Sequence, residues 1–490
     1  MSKKIIIVGA GIAGLTAAVY AQRSGFDVTL LEQHRIVGGM CTSWRRKGYL
    51  FEGGVHWLTG TSPQVAVHQI WKDTGALDDT VPISFRDPFH SIEWKGELIH
   101  LYRDIDKTAE HLLKISPEDK ASIEGLVKDV KKVAKAQMPI FDIKGVKAAE
   151  PKKMGLGLLF SMLPAFPAMS RLGKISCAEY VARFKHPGIQ RLLSFIPVSY
   201  YANALLFTLA TFYVGDGGYP EGGSLPMAHR MSKTFTDLGG TLLLNTQVKK
   251  VIIEDGVATG VLLEDGSLLA DAVVVTQETI AALDCLFDPP LQEAQLSALK
   301  ETITPTVCTF VCVGVRAELP KDVLPEWQLP KPITYAGQTI NELSFNSYFG
   351  YKDYAPEGCT ALTTAFVADT YDYWKASKEE GRYEADKQDL AEQISRALCQ
   401  KYPEAEGKIE VIDVATPLTY ERYTGAYHGS WMTITEPGGS SSQVEGEAAS
   451  VKGLVFAGHR LMQPGGLPAA AASGRIAAQQ VCRMFDAVFR

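Results

Sequence analysis

No C-x-x-C pair occurs among the eight cysteines, which are scattered at Cys41, Cys177, Cys285, Cys308, Cys312, Cys359, Cys399 and Cys482. Neither a structural zinc site nor a dithiol redox pair is therefore expected, no metal is expected elsewhere, and the pattern suits a reducing compartment. Cys308 and Cys312 share one face of a run, Thr306 to Val315, that reads as a strand, which makes them small core residues. Long apolar runs are also missing, since a bilayer-spanning helix needs about 20 such residues. The run Ile5 to Val8 behind Lys3-Lys4 is too short for a signal-peptide core. An excess of basic residues is absent as well: the net charge of −6 argues against a nucleic-acid partner. The expected location is cytoplasmic, at most peripheral on a membrane surface. With 490 residues, 46% hydrophobic and 21% charged, the chain can fold into two or three domains with full cores.

The amino-terminal motif carries the first positive signal. Lys4 to Val8 reads as a buried parallel strand that ends in Gly9-Ala10-Gly11-Ile12-Ala13-Gly14, and a helix follows to about Arg23. Gly9 permits the tight turn, Gly11 lets the backbone approach a pyrophosphate, and Gly14 lets helix and strand pack closely. The helix N-terminus, with Ile12 and Ala13, offers free N–H groups to phosphate. Gly25 ends the helix before a second strand, Asp27 to Leu31. Glu32, beside Gln33, then stands where a carboxylate can accept hydrogen bonds from a ribose diol and disfavour a 2′-phosphate.

A second glycine pair, Gly38-Gly39, precedes Met40 and Cys41, and lets a loop pass beneath an extended dinucleotide. This text resembles the second glycine motif of the glutathione-reductase-type FAD superfamily, in the branch holding amine oxidases and phytoene desaturases; many members have Arg at the Met40 position. Near the other end, Gly453 to His459 reads as a buried strand leaving a tight turn at Gly458. Pro464-Gly465-Gly466-Leu467-Pro468 then opens a small-residue helix whose positive end suits the N1–C2=O edge of a reduced flavin. This resembles the C-terminal flavin motif of the phytoene desaturase, carotenoid isomerase and retinol saturase superfamily, where many members have Asp at the His459 position. In the middle, Tyr219 to Leu225 precedes a helix ending near Gly239-Gly240. Strands with Asp255-Gly256 and Asp265-Gly266 turns follow, like that superfamily's antiparallel layer, in which the Val248 position lies against the adenine.

The resemblance implies an α/β fold: a discontinuous Rossmann-type FAD-binding domain (1–75, 216–280 and 431–490) with an α+β substrate domain (76–215 and 281–430). It implies non-covalent FAD. The stretch Glu436 to Ser450 reads as an exposed loop. A dedicated nicotinamide domain is not expected, because the other plausible strand, Ala272 to Thr276, runs into Gln277-Glu278-Thr279 without a glycine.

Phe51 to Trp57 holds a Gly53-Gly54 pair that can run against an isoalloxazine ring. Gly54, Val55 and His56 are candidate flavin contacts, and His56 is a candidate catalytic residue or a structural histidine. Tyr200 and Tyr213 are further catalytic candidates. The segment Met154 to Met169 is apolar, broken by Pro164 and Pro167, and flanked by Lys147, Lys152, Lys153, Arg171 and Lys174. It reads either as a patch dipping into a lipid surface or as a buried cap. The reading reached is an FAD-dependent oxidoreductase acting on carbon–carbon bonds (desaturation, saturation or isomerisation) of an apolar isoprenoid or polyene lipid. Its alternatives are an FAD-dependent amine or porphyrinogen oxidase and a non-redox isomerase using reduced FAD.

Overall fold

Alternate residues of the first strand feed two different cores, which is why Ile5 to Val8 are apolar without a break. In the computed structural model, which describes residues 2–136, 140–152, 162–302, 304–434, 443–462 and 465–490, Ile5 and Ile7 of Lys4–Val8 pack into one apolar cluster and Ile6 and Val8 into another. The strand is the centre of a five-stranded parallel sheet. Its order is Thr241–Leu243, Asp27–Leu31, Lys4–Val8, Ala272–Val275, Leu454–Phe456. Ligands of such sheets bind beyond the carboxyl ends of the strands, where the order reverses around the first strand. The strand Ala272–Val275, weighed from sequence as the start of a second nucleotide unit, is a direct neighbour of the first strand in this same sheet.

Two helices meet on one face of the sheet, Ile12–Arg23 and Leu467–Met484. A Cβ added at Gly474 would lie 2.3 Å from the Ala13 carbonyl oxygen, so the small residues of the C-terminal helix let the two backbones touch. The antiparallel layer consists of Lys250–Glu254, Val257–Leu263 and Gly266–Leu269. Asp255 (φ 49°) and Gly256 (φ 75°) supply the left-handed pair of a tight hairpin.

A seven-stranded sheet runs Ile409–Ala415, Cys308–Val315, Thr360–Val367, Gln338–Ser347, Asp322–Tyr335, His90–Trp94, Glu97–Leu101. It is backed by Tyr371–Glu379 and Tyr383–Lys401 around a separate apolar core. A helical layer that includes Ile105–Ile115, Lys120–Val133 and Ala202–Tyr213 closes the far side.

Two expectations need correcting. The strand read as Thr306 to Val315 is two strands: Thr304–Thr306 pairs with Met432–Ile434, and Cys308–Val315 enters the seven-stranded sheet. Cys308 and Cys312 are both buried there. The stretch Glu436 to Ser450 is a loop only partly exposed over its described part, 443–450, because it pairs with its neighbours. Val444 N–H donates to the Leu461 carbonyl and Ala448 N–H to the Leu454 carbonyl, the Gly446 carbonyl accepts from Phe456 N–H, and Gly446 and Ala448 are buried. Its Gly and Ala residues are what let it lie flat on the edge strand.

Candidate FAD site and substrate cavity

The glycine turn after the first strand leaves an open cradle. The helix Ile12–Arg23 starts at Gly11 with no side-chain cap, so its first amides point outward unpaired. A Cβ at Gly11 would meet no protein atom within 4 Å, whereas one at Gly14 would lie 1.9 Å from the Gly9 carbonyl oxygen. Gly11 thus faces free space and Gly14 makes the close approach. Gly38 N–H donates to the Ala10 carbonyl (2.8 Å), which brings the Gly38-Gly39 loop against the same turn.

Glu32 Oε2 accepts from Ala10 N–H and Oε1 from His34 N–H, both at 2.9 Å. The carboxylate is held at the strand end with acceptor capacity left for a diol. Gln33 is exposed beside it, and Val248 is buried against Ile6 and Val8 in one core. Cys41 is buried and its thiol is pushed up to about 12 by that burial, which makes it inert; Met40 is half-buried.

The C-terminal helix repeats the pattern. It starts at Gly466 (φ 89°) and has no side-chain cap. Gly458 N–H donates to Ser473 Oγ (2.9 Å). The ring of His459 has no partner for Nδ1, and burial, reinforced by the charge of Arg460, pushes it down to about 3, so it is neutral. Pro464 lies outside the described residues; Leu467 and Pro468 form the first turn. Two uncapped helix N-termini, a cradle at Gly11 that a side chain would fill, and an orphaned polar nitrogen fit the pyrophosphate and ring of FAD.

Sequence reasoning missed two supports of this site. Glu52 is fully buried and accepts from Gly54 N–H (2.8 Å), Val55 N–H (3.1 Å), Ser224 N–H (2.9 Å), the Ser224 hydroxyl and the Tyr219 hydroxyl (3.0 Å). Burial raises its carboxyl despite those bonds. It pins the Gly53-Gly54 turn to the helix Ser224–Asp237. Arg460 donates to Glu278 Oε1 (2.8 Å) in a pair that is almost wholly buried, and to the Ser430 hydroxyl. That fixes the turn carrying His459. Both pairs join residues more than 150 positions apart, so no local pattern announces them.

Beyond His56 opens a cavity of about 370 Å³. One wall is aromatic, with Phe89 4.4 Å from Phe212 and 5.8 Å from Phe195 between ring centroids. The rest mixes apolar groups such as Trp57 and Phe345 with polar ones that include Arg86, His90, Arg103, Glu326 and Asn346. His56 and His90 are each pushed down to about 4, first by burial and then by a neighbouring arginine, Arg86 and Arg191 respectively. His56 Nδ1 and His90 Nε2 have no hydrogen-bond partner. His56, three residues past Gly53, is the one candidate shared by the Gly53-Gly54 turn and the cavity. Tyr200 and Tyr213 do not line this cavity: Tyr200 is buried in the helical core, and Tyr213 packs against that core with the Lys131 ammonium 5.8 Å from its ring.

Of Met154 to Met169, residues 154–161 lie outside the described residues. In the remainder Leu163 and Phe166 are exposed at 48% and 45%. Arg171 is paired with Asp129 (2.7 Å) and Lys147 with Asp486 (2.6 Å).

Residues 12–482 match the model of the flavin containing amine oxidoreductases. The chain belongs to that family. Its cofactor is FAD, and its fold is that of the FAD-dependent amine oxidases. It is 27% identical over 283 residues to a phytoene desaturase (neurosporene-forming) of Cereibacter sphaeroides, covering 56% of this chain and 52% of that protein. It is 23% identical to an all-trans-retinol 13,14-reductase of Danio rerio, with 86% and 76% covered. It is 25% identical to a chloroplastic prolycopene isomerase of Arabidopsis thaliana, with 97% and 82% covered. The chain therefore spans about half the length of the phytoene desaturase it matches. Among solved structures, cyclohexylamine oxidase from Brevibacterium oxydans superposes with a TM-score of 0.58 at 16% identity, covering 99% of this chain and 100% of that one, which shows the fold.

Proposed function

We propose that this flavoenzyme acts on a carbon–carbon bond of an isoprenoid or polyene lipid, by desaturation or saturation. The observation that carries the reading is the junction at His56, where the turn built for the flavin opens into a cavity with no free carboxylate among its described lining residues. Glu326, the one acidic side chain there, is bonded to Arg191 (2.8 Å). An ammonium substrate would meet two arginines and nothing to balance its charge, which disfavours amine oxidation. The sequence relatives named for phytoene, retinol and prolycopene support the same reading. FAD supplies the hydride acceptor or donor when bound. The chain's own part is to hold the substrate against the Gly53-Gly54 turn, exclude water with Phe89, Phe195 and Phe212, and, in the desaturation direction, offer a neutral imidazole at His56 that accepts the proton lost from carbon; in saturation the imidazolium would return it. The test is anaerobic mixing of the oxidised or dithionite-reduced protein with a polyene while flavin absorbance is followed. A change of oxidation state that matches product formed supports desaturation or saturation. The match to a prolycopene isomerase over nearly the whole chain favours a second reading, isomerisation with reduced FAD, in which product forms while the absorbance stays constant.

We further propose that the protein reaches such a substrate at a membrane surface through Leu163 and Phe166. Arg171 and Lys147 are committed to carboxylates, so the exposed Leu163 and Phe166 carry the association more than these two charges do. Sedimentation with neutral liposomes tests it: Leu163→Asp with Phe166→Asp is expected to reduce binding and leave FAD content unchanged. No binding by the wild type overturns the membrane reading.

A further inference from the structure

Arg86 enters the cavity with no acid to meet it. Its Nε donates to the Tyr351 hydroxyl (3.2 Å) and its Nη1 to Asn346 Oδ1 (3.0 Å), both neutral acceptors. Its Nη2 has no hydrogen-bond partner. Three tyrosine rings surround the guanidinium, Tyr348 at 5.4 Å and Tyr219 and Tyr351 at 5.7 Å from their centroids. They disperse its charge but do not neutralise it. Among the described residues no carboxylate lies within ion-pair distance of it.

The other charges of the cavity do not change the balance. Glu326 is matched by Arg191. Arg103 donates to the main-chain carbonyls of Asp216 and Gly217 and lies over Phe85 (4.5 Å) and Phe212 (5.1 Å). His56 and His90 each keep one ring nitrogen unpartnered. The lining is thus rich in hydrogen-bond donors and carries net positive charge beside an aromatic wall. A guanidinium buried without a counter-charge is strongly unfavourable, and its planar fork matches two oxygens on one carbon. A pure hydrocarbon would leave Arg86 unmatched.

We infer that the substrate is a polyene or isoprenoid carboxylic acid, whose carboxylate is held by Arg86 at the end of the cavity near His56 while its chain lies along Phe89, Phe195 and Phe212. This rests on the carbon–carbon reading above and narrows it from lipid to lipid acid. Arg86 is a binding residue here, oriented by Asn346.

The test is titration of the FAD-loaded protein with a conjugated polyene carboxylic acid, its methyl ester and the corresponding hydrocarbon, following perturbation of the flavin spectrum. Charge-assisted hydrogen bonding predicts that the acid binds about 10–100-fold more tightly than the ester. That preference is expected to vanish in Arg86→Met and to persist in reduced form in Arg86→Lys. The wild-type comparison needs no variant to fold. Equal affinity for acid and ester, tighter binding of the hydrocarbon, or a preference unchanged in Arg86→Met overturns the carboxylate while leaving a polyene substrate in place. Failure of all three to bind, with flavin bleaching by a primary amine, overturns the polyene reading and the carboxylate with it.

Discussion

At the scale of single residues, three histidines are held neutral by burial, and this has consequences for both catalysis and stability. His56, next to the flavin turn, can accept a proton near neutral pH without first losing one. His56→Ala is expected to lower turnover by about 10²–10⁴-fold, with FAD content falling far less, as read by activity against the flavin absorbance of purified protein. For stability the sign follows from the depressed values. An unfolded histidine protonates near ~6.5, whereas His56 and His90 resist until about 4 and His459 until about 3. Between these limits the unfolded chain binds protons that the folded chain refuses. The stability present above ~6.5 is therefore lost as pH falls, by about 1.4 kcal/mol per pH unit for each such group. Thermal melts between pH ~6.5 and ~4.5 check this, and His90→Gln is expected to lose less of its midpoint than the wild type over that window. Glu52 is the other decisive single residue. Glu52→Gln replaces an acceptor of five hydrogen bonds by a group that must itself donate, and at least one buried N–H or O–H is left opposed. A loss of about 1–3 kcal/mol in unfolding free energy is expected, together with lower FAD occupancy.

At the scale of elements, glycines divide into those that face a ligand and those that face protein. The same substitution should then have opposite outcomes. Gly11→Leu points into free space, so it is expected to give a folded, colourless protein with a near-native melting profile of the apoprotein. Gly474→Leu drives a side chain into the Ala13 carbonyl of the opposing helix, and is expected to destabilise by about 1–3 kcal/mol or more. Circular dichroism and flavin absorbance on the same samples separate the two. The glycine turn, the strand after it, Glu32 and the C-terminal helix were legible in the sequence because each is a local pattern with its own spacing. The cavity was not. His56, Arg86, Arg103, Glu326 and Asn346 come from five separate stretches, and only the sheet and helical layer bring them together. An arginine whose partner is another molecule has no signature in the chain. Tyr200 and Tyr213 lie outside the cavity lining, and an aromatic residue reads alike in sequence whether it lines a cavity or packs against a core.

At the scale of the whole molecule, the only G-x-G-x-x-G fingerprint in the chain is Gly9 to Gly14, and the strand Ala272–Val275 serves the same sheet as that fingerprint. Reduction of the flavin by NADH or NADPH is therefore expected to be slow and weakly saturating, while dithionite reduces it readily. Anaerobic stopped-flow is the measurement, and fast, tightly saturating reduction by either nucleotide would contradict this expectation.

The parallel sheet also sets an order of events during synthesis. Its central strand is complete by residue 8, but the edge strand and the helix that meets Ala13 are supplied by residues 454–484. The segment 454–484 must leave the ribosome before the site can close. Until then the outer edge of Ala272–Val275, which pairs with Leu454–Phe456, stays unpaired, and contacts of such high sequence separation form slowly. Nascent chains truncated before residue 454 should be captured by chaperones and unable to retain FAD. FAD retention thereby becomes a late, single report on whether synthesis has passed the helix Leu467–Met484.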